Sequence, residues 1–137
     1  MNSYVFSELA VGMSESFEVT VTDEMMSAFE TLSGDANPLH TDEAFAKKKG
    51  FGGRVVYGML AASFYSRLVG MYLPGQNAVL QQLSVKFRGP VFVGDRLTVT
   101  GEVSELNDTF NRVVVKAKIE NQNKDKVNAA TITAGVI

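Results

Sequence analysis

The segment from Val55 to Tyr72, VVYGMLAASFYSRLVGMY, constrains the fold more than any other part of this chain. Apolar residues occupy nearly every face of the helix it suggests, and the small residues Ala61, Ala62 and Ser63 stand in its middle. A helix that is apolar all round has to be buried. This one is too short and too interrupted to cross a bilayer, so other elements of the chain must enclose it. Pro74-Gly75 ends it. Strand after strand follows. In 79–88, Val79, Leu83, Val85 and Phe87 are expected on one face. In 95–104, Leu97, Val99 and Val103 share a face, with Arg96, Thr98, Thr100 and Glu102 opposite. In 111–120, Val113, Val115, Ala117 and Ile119 share one, and a last strand covers about 126–136. Gly89-Pro90, Asn107-Asp108 and Gln122-Asn123 supply the turns. A sheet wrapped around one apolar helix buries it most simply, which predicts an α+β fold with an antiparallel sheet.

Upstream, FEVTVT at 17–22 alternates as a strand does. Thr22 is placed to cap a helix over 23–32 that begins with Asp23 and Glu24 and ends at Gly34. Thr41 is placed to cap a second helix, Asp42 to Lys49, with acids in its first turn and lysines in its last. With 137 residues and no repeat or linker, the chain reads as a single domain, 1–137. It has no cysteine, so neither a disulfide nor a thiolate metal site arises. A net charge of −2 without a basic patch argues against nucleic acid as a partner. The first residues lack a basic stretch leading into an apolar run, and no segment is long enough to span a membrane. A soluble, cytoplasmic domain is expected.

The only histidine lies in SGDANPLH, residues 33–40, five positions after Asp35. Two readings stand side by side here. Asp after Gly and the Asn-Pro pair are ordinary turn chemistry, and a histidine before a helix cap can simply pack. Alternatively, a carboxylate and an imidazole held on one stiff connection can share a water, one taking its proton while the other positions it. Imidazole suits such work because it ordinarily titrates near neutral pH. A metal site is not suggested, since one His without Cys or HxxE spacing makes a poor ligand set.

GDANPLHTDEAFA, with YGMLAAS beginning seventeen residues after the histidine and FRGPVFVGDRLTVTGEV further on, resembles the MaoC-like hydratases, the (R)-specific enoyl-CoA hydratases. The resemblance covers roughly residues 15–137 and includes the small residue Ala46 after the histidine. It implies a hot-dog fold, an antiparallel sheet curled around a long central helix at 56–72, and a homodimer. It implies that Asp35 and His40 form a catalytic pair and that Asn37 helps hold the water or the loop. By the same resemblance Gly58 is the glycine whose N–H meets the thioester oxygen, and Ser66 a hydroxyl near the site. The implied reaction is reversible hydration of a trans-2-enoyl-CoA to the (R)-3-hydroxyacyl-CoA, with coenzyme A as part of the substrate and no metal or redox cofactor. One departure stands out. Many members carry histidine before the glycine of the central helix, whereas this chain has Tyr57. That puts substrate preference in question, so Tyr57 joins the substrate-binding candidates. Alternatives are a dehydratase acting on 3-hydroxyacyl groups of an acyl-carrier protein, and a hot-dog module that binds acyl thioesters without turnover. A thioesterase is disfavoured by the D-x-N-P-L-H loop. GFGG at 50–53 lacks the G-K-S/T of a phosphate loop, and the lysines at 47–49 read as a solvated helix end.

Overall fold

The computed structural model describes residues 1–137. Five strands form one antiparallel sheet in the order β1-β3-β4-β5-β2. They are β1 (Ser14–Thr20), β2 (Ala78–Phe87), β3 (Arg96–Asn107), β4 (Arg112–Glu120) and β5 (Lys126–Val136). Four helices, α1 (Asp23–Ser33), α2 (Pro38–Thr41), α3 (Glu43–Lys48) and α4 (Gly58–Arg67), lie between β1 and β2. The inner face of the sheet is the one the alternation predicts. Leu97, Val99, Val103, Val113, Val115, Ile119 and Ile132 are fully buried and pack in one cluster with Leu60, Tyr65, Leu68 and Val69. This is the hot-dog arrangement, and the fold expectation holds.

The close approach of helix and sheet explains one glycine. A Cβ on Gly101 of β3 would stand 2.7 Å from Leu68 Cδ2 and 2.9 Å from Val115 Cγ1. Only a residue without a side chain lets Leu68 seat fully.

The central element departs from the expectation in extent and in burial. Val55 and Val56 are extended: Val55 bridges to Phe92, and the Val56 N–H donates to the Val91 carbonyl at 2.7 Å. Two consecutive β-branched residues favour that conformation. The α-helix therefore starts at Gly58 and passes into a π-helical turn over Leu68–Tyr72. It is not buried on every side, since Met59, Ser63, Ser66 and Arg67 are exposed.

β1 begins three residues earlier than expected, and Val21 has already left it to donate its N–H to Asp95 O. Thr22 caps α1 as expected, its hydroxyl accepting from Met25 N, and Gly34 ends α1 in the left-handed region at φ 74°. The second helix divides in two. Asn37 Oδ1 accepts from Leu39 N at 2.9 Å and Pro38 occupies the first helical position, which suits it, so 38–41 closes as a turn of its own. Thr41 is thus inside a helix, and Asp42 caps α3 by accepting from Phe45 N at 3.0 Å. In β2 a bulge between Leu80 and Gln82 moves Val79 off the face of Leu83, Val85 and Phe87. Leu80 takes its place, opposite buried Ala134. No helix is long and apolar enough to cross a membrane.

Candidate active site

The loop between α1 and α2 is braced by its own side chains. Ser33 Oγ accepts from Asp35 N, Asp35 Oδ1 accepts from Asn37 N at 3.1 Å, and Asn37 Oδ1 accepts from Leu39 N. Asn37 is therefore a holder of the loop. His40 follows in α2, half-buried, with Nδ1 2.7 Å from the Val55 carbonyl oxygen. A carbonyl only accepts, so Nδ1 carries a proton, and it is Nε2 that offers a lone pair whenever the ring acts as an acceptor. Leu39 O accepts from Val55 N in turn, which clamps α2 to the extended entry of α4.

Tyr57 ties these parts together from behind. It is 2% exposed, and its hydroxyl donates to the Asp35 carbonyl oxygen at 2.7 Å. Its ring lies under His40 with centroids 4.1 Å apart and meets Phe29 of α1 at 4.8 Å. Burial pushes its phenol above the usual range, with the negative charges of Glu30 and Asp35 adding to the effect. The tyrosine at this position thus fastens the loop rather than lining the pocket.

One cavity of about 160 Å³ is bounded by His40, Gly58 and Asn128 together with Val56, Ala61, Phe87, Val91 and Val127. Its wall is mostly apolar, with a few polar groups, as ligand sites usually are. The N-terminus of α4 has no side-chain cap, and the Gly58 N–H has no acceptor in the chain. Free amides at a helix start favour negative charge. Gly58 also touches the cavity rim: a Cβ there would meet Phe87 Cε1 at 3.0 Å. The structure thus brings His40 and Gly58 to one space. Asp35 lies on the exposed loop outside that wall, and exposed Ser66 lies farther along α4, about 12 Å from Gly58 at the rise of an α-helix.

Asn128 is a further polar residue of this wall, beyond those the sequence motifs point to. It is 1% exposed, on β5 opposite Phe87, and its Oδ1 accepts from the Tyr65 hydroxyl at 3.1 Å. Its signal was present in the sequence: an amide in register with Ala130, Ile132 and Ala134 on an otherwise apolar inner face. A larger, open hollow of about 510 Å³ adjoins Gly52 and Gly53 and includes Asp23, Glu43 and Arg54. Arg54, the one cation lining that hollow, is paired with Asp23 there, and Lys47 is paired with Glu43 at 2.6 Å.

Residues 8–124 match the model of the MaoC like domain. An (R)-specific enoyl-CoA hydratase of Aeromonas caviae is 46% identical over 83 residues, 61% of this chain and 62% of that protein. A mitochondrial 3-hydroxyacyl-[acyl-carrier-protein] dehydratase of Arabidopsis thaliana is 38% identical over 95 residues, 69% of this chain and 56% of that protein. In both cases the aligned stretch spans less than two thirds of the relative. The solved (R)-hydratase from A. caviae involved in PHA biosynthesis superposes with a TM-score of 0.91 at 33% identity, covering 95% of this chain and 98% of that one.

Proposed function

Because the chain belongs to the MaoC-like domain family, we propose that it catalyses the reversible hydration of trans-2-enoyl-CoA to (R)-3-hydroxyacyl-CoA. The observation that carries this reading is the single cavity in which an imidazole and an uncapped helix N-terminus meet. In the proposed reaction the oxygen of water bonds to C3 of the enoyl group, and Asp35, whose loop stands outside the cavity wall in the free protein, turns its carboxylate to the water at His40 when substrate binds and takes the proton that water loses. His40, fixed by Val55 O at Nδ1, orients the water through Nε2. The C2–C3 π pair shifts toward the thioester, whose oxygen carries the enolate charge and accepts from the Gly58 N–H. The proton that Asp35 took is delivered to C2 with the support of His40, which completes the addition and restores the carboxylate, so none is consumed. Oxidation state is conserved across the substrate as a whole, so the reaction asks for no redox cofactor. Coenzyme A enters only as the substrate's carrier.

A donor aimed at developing charge is worth roughly 10²–10³ in rate, and general acid–base participation typically 10²–10⁴. Loss of the enoyl absorbance of crotonyl-CoA, with chiral analysis of the product, tests the reading. Wild type should form the (R)-product, and Asp35→Asn and His40→Gln should each lose at least about 10² in kcat. A folded wild type that hydrates no enoyl-CoA refutes it. The Arabidopsis relative's name supports a second reading, dehydration on an acyl-carrier protein. Crotonyl groups presented on the two carriers in parallel distinguish the readings.

The same proposal includes a homodimer joined at β2. That strand is a free edge of the sheet, with Val79, Leu80 and Phe87 44%, 46% and 56% exposed. A long apolar edge left open is a template for association. Sedimentation equilibrium giving a monomer at micromolar concentration would refute this part.

A further inference from the structure

Asn128 is one of only two buried polar or charged residues in the chain, and the other, Asp95, has both carboxylate oxygens engaged by Phe92 N and Gln122. Asn128 has an unused half. The Tyr65 hydroxyl, itself buried and with no other acceptor, must donate to Oδ1. That fixes which way the amide faces and leaves Nδ2 with no acceptor in the protein. No buried side-chain nitrogen or oxygen is both sealed off and unpaired, so Nδ2 reaches open space. For a residue only 1% exposed, that space is the cavity it lines with His40 and Gly58.

The polar groups of the cavity now form a complementary set. Gly58 N–H and Asn128 Nδ2 are donors, from a helix start and from the sheet opposite; His40 Nε2 is an acceptor. A thioester oxygen needs donors, and a water needs an acceptor for one of its hydrogens. We propose that Asn128 is a substrate-binding residue whose amide donates to the thioester oxygen beside the Gly58 N–H, with Tyr65 positioning that amide. The inference rests on the acyl-thioester reading of the cavity and adds a second donor that the sequence resemblance does not assign.

The test has two readouts. The first is the infrared carbonyl stretch of [1-¹³C]butyryl-CoA, a saturated thioester that cannot be hydrated. Bound to wild type, the band moves to lower frequency; bound to Asn128→Leu, much of that shift is lost. The second is crotonyl-CoA hydration, where Asn128→Leu should lose about 10² in kcat with KM within about threefold, as removal of one such donor does. Tyr65→Phe keeps the amide but frees its orientation, and should give a smaller loss in both readouts. A folded Asn128→Leu variant with wild-type band and kcat overturns the inference, as does a wild type that leaves the band of bound thioester unshifted. Should Asn128→Leu not fold, Tyr65→Phe decides: wild-type values in both readouts overturn the proposal. A protein that shifts the band through Asn128 yet hydrates no enoyl-CoA keeps this inference and loses the hydratase reading.

Discussion

Removing the Tyr57 hydroxyl isolates how the loop carrying Asp35 is held. In Tyr57→Phe the ring stays under His40 and against Phe29, because those contacts are made by carbon. Only the 2.7 Å hydrogen bond to the Asp35 carbonyl is lost. The accepting loop is exposed, so water can take over at the carbonyl. A typical net value of about 1 kcal/mol then applies, without the larger penalty of a buried orphan. For a domain of this size that lowers Tm by about 3–5 °C. The same free energy bounds the effect on turnover. If the hydrogen bond keeps the loop in register, losing about 1 kcal/mol lets misaligned loops compete and lowers kcat about fivefold, KM changing little. Tyr57→His, which restores the residue usual in the family, loses the same bond because imidazole reaches less far, and should match Phe in kcat. Thermal unfolding and steady-state hydration of crotonyl-CoA read both quantities. Unchanged Tm and kcat in Tyr57→Phe would refute the bracing role. A loss beyond about 10² would refute it from the other side, since that is the scale of a group taking part in the chemistry.

Three further outcomes are expected. Gly101→Ala should destabilise the protein by about 1–3 kcal/mol, seen as a lower denaturation midpoint, because its Cβ would overlap Leu68 and Val115. Gly58→Ala should fold normally but raise KM several-fold, because the new methyl meets the Phe87 ring at 3.0 Å on the cavity rim. Adding Phe87→Ala should recover part of that loss in the same assay. Stability should also fall above about pH 10, where unfolded tyrosines ionise. Burial raises the phenols of Tyr57 and Tyr65 in the folded state. Their contribution is therefore complete below the unfolded pKa and is lost as pH rises toward the folded values. Denaturant titrations at pH 8 and pH 10.5 should separate wild type from Tyr65→Phe, which loses less over that interval.

The strands are legible where one face is buried and the other wet, so the period of two survives in β4 and over Leu97–Val103 of β3, until a bulge after Val103 turns Leu106 inward. It failed locally in β2, where the bulge before Gln82 changes parity and composition gives no warning. Apolar patterning locates the central helix but overstates its length, since periodicity alone does not separate extended Val55–Val56 from a buried helix. Its exposed side was hidden because Met59 reads as core wherever it stands, and it is 64% exposed. At the site, turn chemistry located the loop and the resemblance ranked its residues. Neither reached Tyr57's bond to Asp35 or Asn128's bond to Tyr65, which join positions 22 and 63 residues apart. The first exists only once the α1–α2 loop has folded against the entry of α4, and the second only once β5 lies over that helix.

Phe87 occupies two places at once: it is on the open edge of the sheet and in the wall of the cavity. A substitution there changes two surfaces together, the exposed apolar edge of the sheet and the wall of the cavity. If the cavity holds an acyl chain as proposed, Phe87 and its neighbour across the strand, Asn128, are where a change of chain length calls for paired replacement.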